Sequence, residues 1–401
     1  MRLKPGRAVL VLTIVCFDAQ SFTLAAQAPG PQSGASAAKV APAQVRAAVD
    51  VLGSMDFPVR MDAGRTIRRA EPSVAVPALL DAVANHKDWY VRFRALVVLS
   101  GFNDPRTGET MLQMLSDKND RLRAVAYAWF EHNRDPAVPP RLIAALEREE
   151  SEFVRPALTR ALAAYGSDAK VREIMTALVM RGQDLFRSVV IEALGDYRGT
   201  YALQPITDVA KLDGPLQDDA VLAIGRLGDK RGLVVLAELQ RTAPRNLQPS
   251  IAASICLLGS NCASHEGYLV ETMKFAIGNP GYQELLRAAA NGLSTLAIAG
   301  NKEAAASLFE LGGPTRDPER AAIALALGRI ALRNTPLVLQ VLESRKDLAA
   351  ATELLREAFD MLDEDFEEER FFVTVRRAYW AAAVGSGSRR IAETLIQRLE
   401  F

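Results

Sequence analysis

The chain has few of the residues on which catalytic and metal sites usually depend. Its 401 residues include three cysteines and three histidines, at positions 86, 132 and 265. The histidines lie far apart in the sequence, without the paired spacing of zinc ligands. No G-x-S-x-G, P-loop, H-E-x-x-H or dinucleotide-binding motif is present. The sequence therefore predicts no metal, no cofactor and no catalytic residues.

An excess of charge of one sign is also missing. Lys+Arg and Asp+Glu both number 48, so the formal net charge is zero. Proteins that bind nucleic acid usually carry a basic excess, and we therefore expect no nucleic-acid partner. After the N-terminus, no uncharged apolar run approaches the roughly 18 residues that a membrane-spanning helix needs. Stable membrane insertion is not expected.

The N-terminus has the features of a secretory signal peptide. Three basic residues precede a ten-residue apolar run at 8–17, and Ala26-Gln27-Ala28 forms a small-x-small cleavage site. We expect residues 1–28 to be removed near Ala28 and the protein to be exported, to a periplasm or outside the cell. A permanent anchor is the weaker interpretation, because ten apolar residues are too few to cross a bilayer. Residues 29–42, rich in Pro, Gly, Ser and Ala, are predicted to form a flexible leader.

One short pattern returns about every 31 residues. It consists of a hydrophobic residue, an anchor and then an apolar run, and its anchors are Arg60, Arg92, Arg123, Arg155, Arg187, Gln217, Gln248 and Arg320. Positions one before, three after and seven after the anchor are apolar or small. Steps of four place them on one face of an α-helix. A shorter helical pattern lies between successive anchors, so each unit is predicted to be helix–turn–helix and to bury its apolar face by stacking on the next.

The ends of the predicted helices are marked by particular residues. Asp56, Asp88 and Asp120 precede anchor helices and are expected to accept hydrogen bonds from their first turns. Pro77 and Pro139 are expected in the first turns of the shorter helices.

Gly-Asp turns such as 195–200 and 227–232 are expected to end helices with a left-handed glycine. Between 265 and 300 the register stays open, since either Leu286 or Gln283 could be the anchor.

Paired helices, a Val-Arg anchor, small residues three positions later and Gly-Asp turns resemble HEAT repeats. The short period is most similar to the HEAT-like repeats named for phycobilin lyases. This resemblance implies an all-α fold, an α-solenoid of stacked helix–turn–helix HEAT-like repeats. We assign residues 43–385 to the solenoid and 386–401 to a C-terminal capping helix.

The resemblance also implies a function, because such repeats serve chiefly as binding scaffolds. In this fold the second helices line the concave surface. We expect an exported, non-catalytic scaffold that binds a protein partner through that surface. The residues predicted there, with arginines suited to an acidic peptide, are Arg65, Arg68, Arg94, Arg160 and Glu192. The alternatives are a lyase or ligand carrier similar to the bilin lyases, and a purely structural envelope component.

Three other polar features have simpler interpretations. The anchor arginines (Arg60, Arg92, Arg123, Arg155 and Arg187) are expected to pair with nearby acids rather than to form a basic stripe. The acidic run at 362–370 is expected to be a solvated face. Cys256 and Cys262 suggest a disulfide in an exported protein, with two inert thiols as the alternative.

Overall fold

A computed structural model describes residues 40–362 and 365–401. These ranges contain 22 α-helices, one short 3-10 turn and no strand. The signal peptide predicted for residues 1–28 lies outside the described residues, as does all but the last three residues of the leader predicted for 29–42.

The helices are α1 (Pro42–Asp50), α2 (Phe57–Arg69), α3 (Pro72–Asn85), α4 (Trp89–Ser100), α5 (Arg106–Met114), α6 (Asp120–His132), α7 (Pro139–Leu146), α8 (Arg155–Ala164), α9 (Ala169–Leu178), α10 (Asp184–Asp196), α11 (Leu203–Ala210), α12 (Gln217–Leu227), α13 (Gly232–Thr242), α14 (Gln248–Leu257), α15 (Cys262–Gly278), α16 (Gln283–Ile298), α17 (Lys302–Gly312), α18 (Glu319–Arg333), α19 (Thr335–Glu343), α20 (Leu348–Leu362), α21 (Asp365–Ala381) and α22 (Gly387–Arg398).

The helices stack in two layers, as the periodic pattern predicts. Every even-numbered helix from α4 to α18 packs on the next even-numbered helix, and each is covered by the odd-numbered helix of its own pair. Residues seven positions after the anchors, such as Leu99, Leu162 and Leu194, are fully buried between these helices. The predicted all-α solenoid is confirmed.

Capping side chains define the starts of the first three even-numbered helices. The carboxylates of Asp56 and Asp88 accept hydrogen bonds from first-turn backbone N–H groups of α2 and α4, as predicted. The prediction for Asp120 is wrong, because Asn119 is the capping residue and Asp120 is the first residue of α6. An acid in that first turn still favours the positive end of the helix dipole.

Two details of the remaining boundaries differ from expectation. Pro139 begins α7 as predicted, but Pro77 lies inside α3, which begins at Pro72. Gly228 ends α12 in the left-handed conformation, with φ 75°. In the turn after α10, by contrast, the positive φ of 51° belongs to Arg198 rather than to a glycine.

Several anchor side chains donate to carbonyls at the ends of the odd-numbered helices. Arg92 Nε donates to the Val83 carbonyl at 2.8 Å, Arg187 Nε donates to Val179 at 2.9 Å, and Gln217 Nε2 donates to Ala210 at 3.1 Å. The last carbonyls of a helix lack partners within that helix, so one side-chain donor is enough to satisfy one of them. This explains why glutamine replaces arginine at some anchors.

Several anchors also bind an acid of the next unit. Arg92 pairs with Asp117 at 2.6 Å, and Arg123 pairs with Glu149 at 2.7 Å. Arg155 differs, because its guanidinium lies 4.6 Å from the centre of the Phe186 ring. These contacts hold neighbouring repeats together.

The register between residues 265 and 300 follows from α15 and α16. Leu286 and Leu293 are fully buried, whereas Tyr282, which would precede a Gln283 anchor, is 41% exposed. Leu286 and Leu293 therefore lie on the buried face of α16. The long first helix of this unit, α15 with 17 residues, accounts for the wider spacing between neighbouring anchors.

Small residues allow α12 and α14 to approach closely. A Cβ atom added to Gly225 would lie 2.5 Å from Ser254 Cα, a backbone atom that can move away only if α14 itself shifts. We expect Gly225→Ala to lower the free energy of unfolding by about 1–3 kcal/mol, as overpacking does elsewhere. Urea denaturation measures this change.

The matched control is Gly267→Ala on α15, where an added Cβ meets nothing within 4 Å. Because alanine favours helix more than glycine does, this variant should be more stable by up to about 1 kcal/mol. Equal changes in the free energy of unfolding of the two variants would show that α12 and α14 do not approach each other closely at Gly225.

Within the described ranges, no single helix is long and apolar enough to cross a membrane. Helices α18 and α19 reach the required length and composition together, but they are bent by 114° relative to each other.

Candidate functional site

Helix α21 connects the two ends of the repeat array. It contacts α4 and α6 near the N-terminal end of the array and α18, α19 and α22 near the C-terminal end. Phe371, Phe372 and Val375 anchor it through buried apolar contacts. The solenoid therefore closes on itself, and α21 occupies part of the inner surface formed by the even-numbered helices.

Buried ion pairs fix α21 in this position. Arg68 Nε donates to both carboxylate oxygens of Glu369, at 3.1 and 2.9 Å, and Arg94 pairs with Asp365. The side chains of Arg68 and Glu369 are 6% and 1% exposed. The solvated face predicted for the acidic run is therefore wrong. Among the described residues of the run, Glu369 and Asp365 bind arginines 301 and 271 positions earlier in the chain, and we call these two contacts the seam.

The residues predicted as an open binding surface are paired within the chain. Arg68 and Arg94 reach the inner surface but bind α21 there, so they are not open to a partner. Arg65 lies apart from them and pairs with Asp62 on its own helix. The expectation of an accessible arginine cluster is wrong because an acidic helix of the same chain neutralises it.

Arg160 and Glu192 belong to a second buried network. Arg160 lies 3.0 Å from a carboxylate oxygen of both Glu131 and Asp196, and Glu192 lies 3.3 Å from Arg329. Burial by itself would raise the pKa of Glu192, but the surrounding guanidinium groups lower it to about 2. These two residues are therefore held by ion pairs too.

Glu131, His132 and Glu367 form a cluster that the sequence did not suggest. Their ligand-type atoms all lie within 4.8 Å of one another. Arg160 lies 3.0 Å and Arg333 lies 3.6 Å from Glu131. Arg333 also approaches Glu367. A cation at this point would be repelled by those guanidinium groups, which already balance the carboxylates. The arrangement therefore favours ion pairing over metal binding.

A cavity of about 700 Å³ lies beside this network. It is surrounded by the C-terminal ends of even-numbered helices and by α21. Its arginines are Arg160, Arg198, Arg226, Arg333 and Arg370. Its wall also includes Cys256 and Cys262, which are joined in a disulfide.

A row of five large side chains, four of them exposed, lies at the opposite ends of the early even-numbered helices, and we call it the rim. Phe57, Trp89, Phe153 and Leu185 are 49–79% exposed and lie within or just before first turns. Arg121 occupies the matching place in α6, and its guanidinium stacks 3.9 Å from the centre of the Phe153 ring. Successive members of the rim are 32 residues apart in the sequence. This spacing is a signal that the sequence contains, but the prediction used only the buried apolar positions.

A shallow groove of about 330 Å³ adjoins the rim between α6 and α8. Its floor consists of small or apolar residues such as Ala124, Ala128 and Ala157, and Phe153 and Arg121 stand at its edge. Among the described residues, Arg121 has no ion-pair partner, although each of the groove's other charged side chains has a partner of opposite charge.

Comparison with known families decides the identity of the repeats. The family model of HEAT repeats matches residues 45–129 and 108–195. This is a HEAT-like repeat protein. The helix pairs after residue 195 keep the same packing of even-numbered helices, so the architecture of the HEAT-like repeats continues through the rest of the array.

Similarities to solved structures are low. YibA from E. coli matches with 20% identity and a TM-score of 0.40, covering 55% of this chain and 82% of its own. The complex of CpcE and CpcF of phycocyanin lyase from Nostoc sp. matches with 17% identity and a TM-score of 0.39, covering 65% of this chain and 97% of its own. Importin beta matches with 11% identity and a TM-score of 0.34, covering 89% and 56%. No inference about activity or partner rests on similarities this low. No curated protein matches the chain.

Proposed function

We propose that this HEAT-like repeat protein is an exported, non-catalytic scaffold that binds a protein partner along the rim. The observation that carries the proposal is the rim itself, which places a large side chain near the start of the second helix of five successive repeats, four of them exposed and the fifth, Arg121, half-buried. Isolated exposed hydrophobic residues are ordinary, but a contiguous row with an adjoining groove is typical of a protein-binding surface. Export rests on the N-terminal sequence pattern.

The chemistry of the rim indicates the kind of segment that fits it. Neighbouring packed helices lie about 8–10 Å apart, so the part of the rim from α4 to α10 runs for about 25–30 Å. Apolar side chains of a partner would cover Trp89, Phe153 and Leu185. A carboxylate of the same partner would pair with Arg121, which forms no ion pair among the described residues. We therefore propose a polypeptide segment that combines apolar and acidic residues.

The test is a comparison of proteins captured from the native cell envelope by three forms of the chain. The rim variant carries Arg121→Glu, Phe153→Ser and Leu185→Ser. The matched control carries Tyr268→Ser and Phe275→Ser, which replace aromatic residues 41% and 44% exposed on α15, away from the rim. We expect the wild type and the control to retain the same one or two proteins in near-equal amounts. The rim variant should retain less than about a tenth of them, as loss of central contact residues does elsewhere.

Two results would contradict the proposal. Capture that is equal in all three forms would place the partner on another surface. The absence of any protein in stoichiometric amount from the wild-type capture would argue against a scaffold role.

A further inference from the structure

The cavity at the C-terminal ends of the even-numbered helices has more positive than negative charge. Five arginines line it, against the two carboxylates of Glu131 and Asp196. Glu192 and Glu367 do not line the cavity but pair with some of the same arginines. With these two carboxylates included, five guanidinium groups stand against four carboxylates.

The titration of the neighbouring carboxyls is consistent with a positive potential there. Burial raises the pKa of Glu192 and of Glu367, yet both values are lowered overall. The lowering comes from Arg226 and Arg329 around Glu192, and from His132, Arg333 and Arg370 around Glu367.

Helix geometry accounts for some of these arginines and not for others. Arg226 and Arg333 lie in the last turns of α12 and α18, where a cation interacts favourably with the partial negative charge of the helix end. Arg198 lies beyond the end of α10, and Arg370 lies in the second turn of α21, near the positive end of that helix. Their positions therefore need another explanation.

Arg198 is the more unusual of the two. Its φ of 51° is a left-handed conformation that costs a non-glycine residue free energy, and glycines stand at positions 195 and 199 of the same turn. Arg198 lines the cavity, is exposed, and forms no ion pair within residues 40–362 and 365–401. An arginine that lines the cavity without an ion pair leaves its guanidinium available to a ligand there.

We propose that this cavity binds a small molecule carrying an oxyanion group, a phosphate or a carboxylate. Arg198 and Arg370 would contact the anion, and the guanidinium of Arg226 with the hydroxyl of Thr295, 3.1 Å apart, would complete its surroundings. Planar guanidinium groups bind both kinds of oxyanion through paired hydrogen bonds. A volume of about 700 Å³ accommodates a metabolite-sized molecule.

This inference goes beyond the proposed function and is independent of it. The rim follows the first turns of the even-numbered helices, whereas the cavity lies at their other ends. Loss of anion binding would leave partner capture unchanged, and loss of capture would leave anion binding unchanged.

Isothermal titration calorimetry on the purified protein tests the inference, with inorganic phosphate and succinate as separate probes. We expect one site per chain for at least one probe, with a Kd below about 1 mM. The tighter probe identifies the class of oxyanion. The double variant Arg198→Gln/Arg370→Gln should bind at least about tenfold more weakly, whereas Arg148→Gln/Arg390→Gln, which changes two exposed arginines outside the cavity, should bind like the wild type.

Arg370 pairs with Glu367, so the double variant alone could lose binding through disturbed packing. Arg198→Gln removes no ion pair and should still weaken binding by about threefold or more. Unchanged affinity in Arg198→Gln and in the double variant would overturn the proposal. So would the absence of binding by either probe up to about 10 mM, a concentration far above the expected Kd.

Discussion

Replacing Glu369 with glutamine should lower the free energy of unfolding by about 3–5 kcal/mol, one of the two largest effects expected for a single substitution in this chain. The carboxylate is 1% exposed and accepts two hydrogen bonds from Arg68 Nε, and Arg376 lies 3.4 Å from the same group. Loss of its charge would leave two guanidinium groups facing each other without compensation. Burial already lowers the pKa of Arg376, and nearby Arg68 lowers it further. Urea denaturation followed by circular dichroism measures the loss.

A matched control distinguishes the loss of a buried ion pair from the loss of an exposed one. Glu271→Gln breaks the pair with Lys274 on α15, in which both side chains are more than half exposed. Such surface pairs contribute about 0–1 kcal/mol, so the control should be close to the wild type. A Glu369→Gln variant as stable as the Glu271→Gln control would contradict the buried seam.

The double variant Arg68→Met/Glu369→Gln tests whether the two residues act as a pair. Once the acid has been neutralised, removing Arg68 relieves an uncompensated buried charge. We therefore expect the double variant to lose less stability than the sum of the two single variants, with a coupling of at least about 1 kcal/mol. Additive losses would show that Arg68 and Glu369 do not interact.

The architecture could be predicted from the sequence because each repeat carries its own local pattern. The anchors and the residues three and seven positions later fall on one helical face, and Leu99, Leu162 and Leu194 are buried as that pattern requires. Helix starts were predicted less well, because Asn119 and Asp120 are both acceptable near a helix start and only the three-dimensional structure distinguishes them.

The seam could not be predicted in the same way. Arg68 and Glu369 are separated by 301 positions, and no periodic feature links them. The run at 362–370 resembles a solvated acidic helix when read alone. Its burial depends on the curvature of the whole array, which accumulates from small rotations between repeats. The same curvature brings Arg329 of α18 to Glu192 of α10.

The arginines predicted as a partner-binding surface could not be recognised from the sequence as internally paired. Arginines on the inner face were expected to bind an acidic segment, and Arg68 and Arg94 do bind one, which belongs to the same chain. The rim was visible in the sequence as a spacing of 32 from Phe57 to Leu185. Exposure of those side chains, however, depends on what α21 and the neighbouring repeats leave uncovered.

Replacing Leu162 with alanine should cost about 2–5 kcal/mol, because the side chain is fully buried on α8 between α6 and α10 and the space it leaves cannot close completely. Repeats contact chiefly their neighbours, so amide hydrogen exchange should increase most in α6, α8 and α10 and least in α14 and α16. Leu212→Ala, at a leucine 58% exposed after α11, is the control and should change stability by less than about 0.5 kcal/mol. A uniform increase in exchange along the chain would mean that the closing contacts of α21 make the whole array unfold as one unit. A Leu162→Ala variant as stable as the Leu212→Ala control would show that Leu162 does not lie between stacked helices.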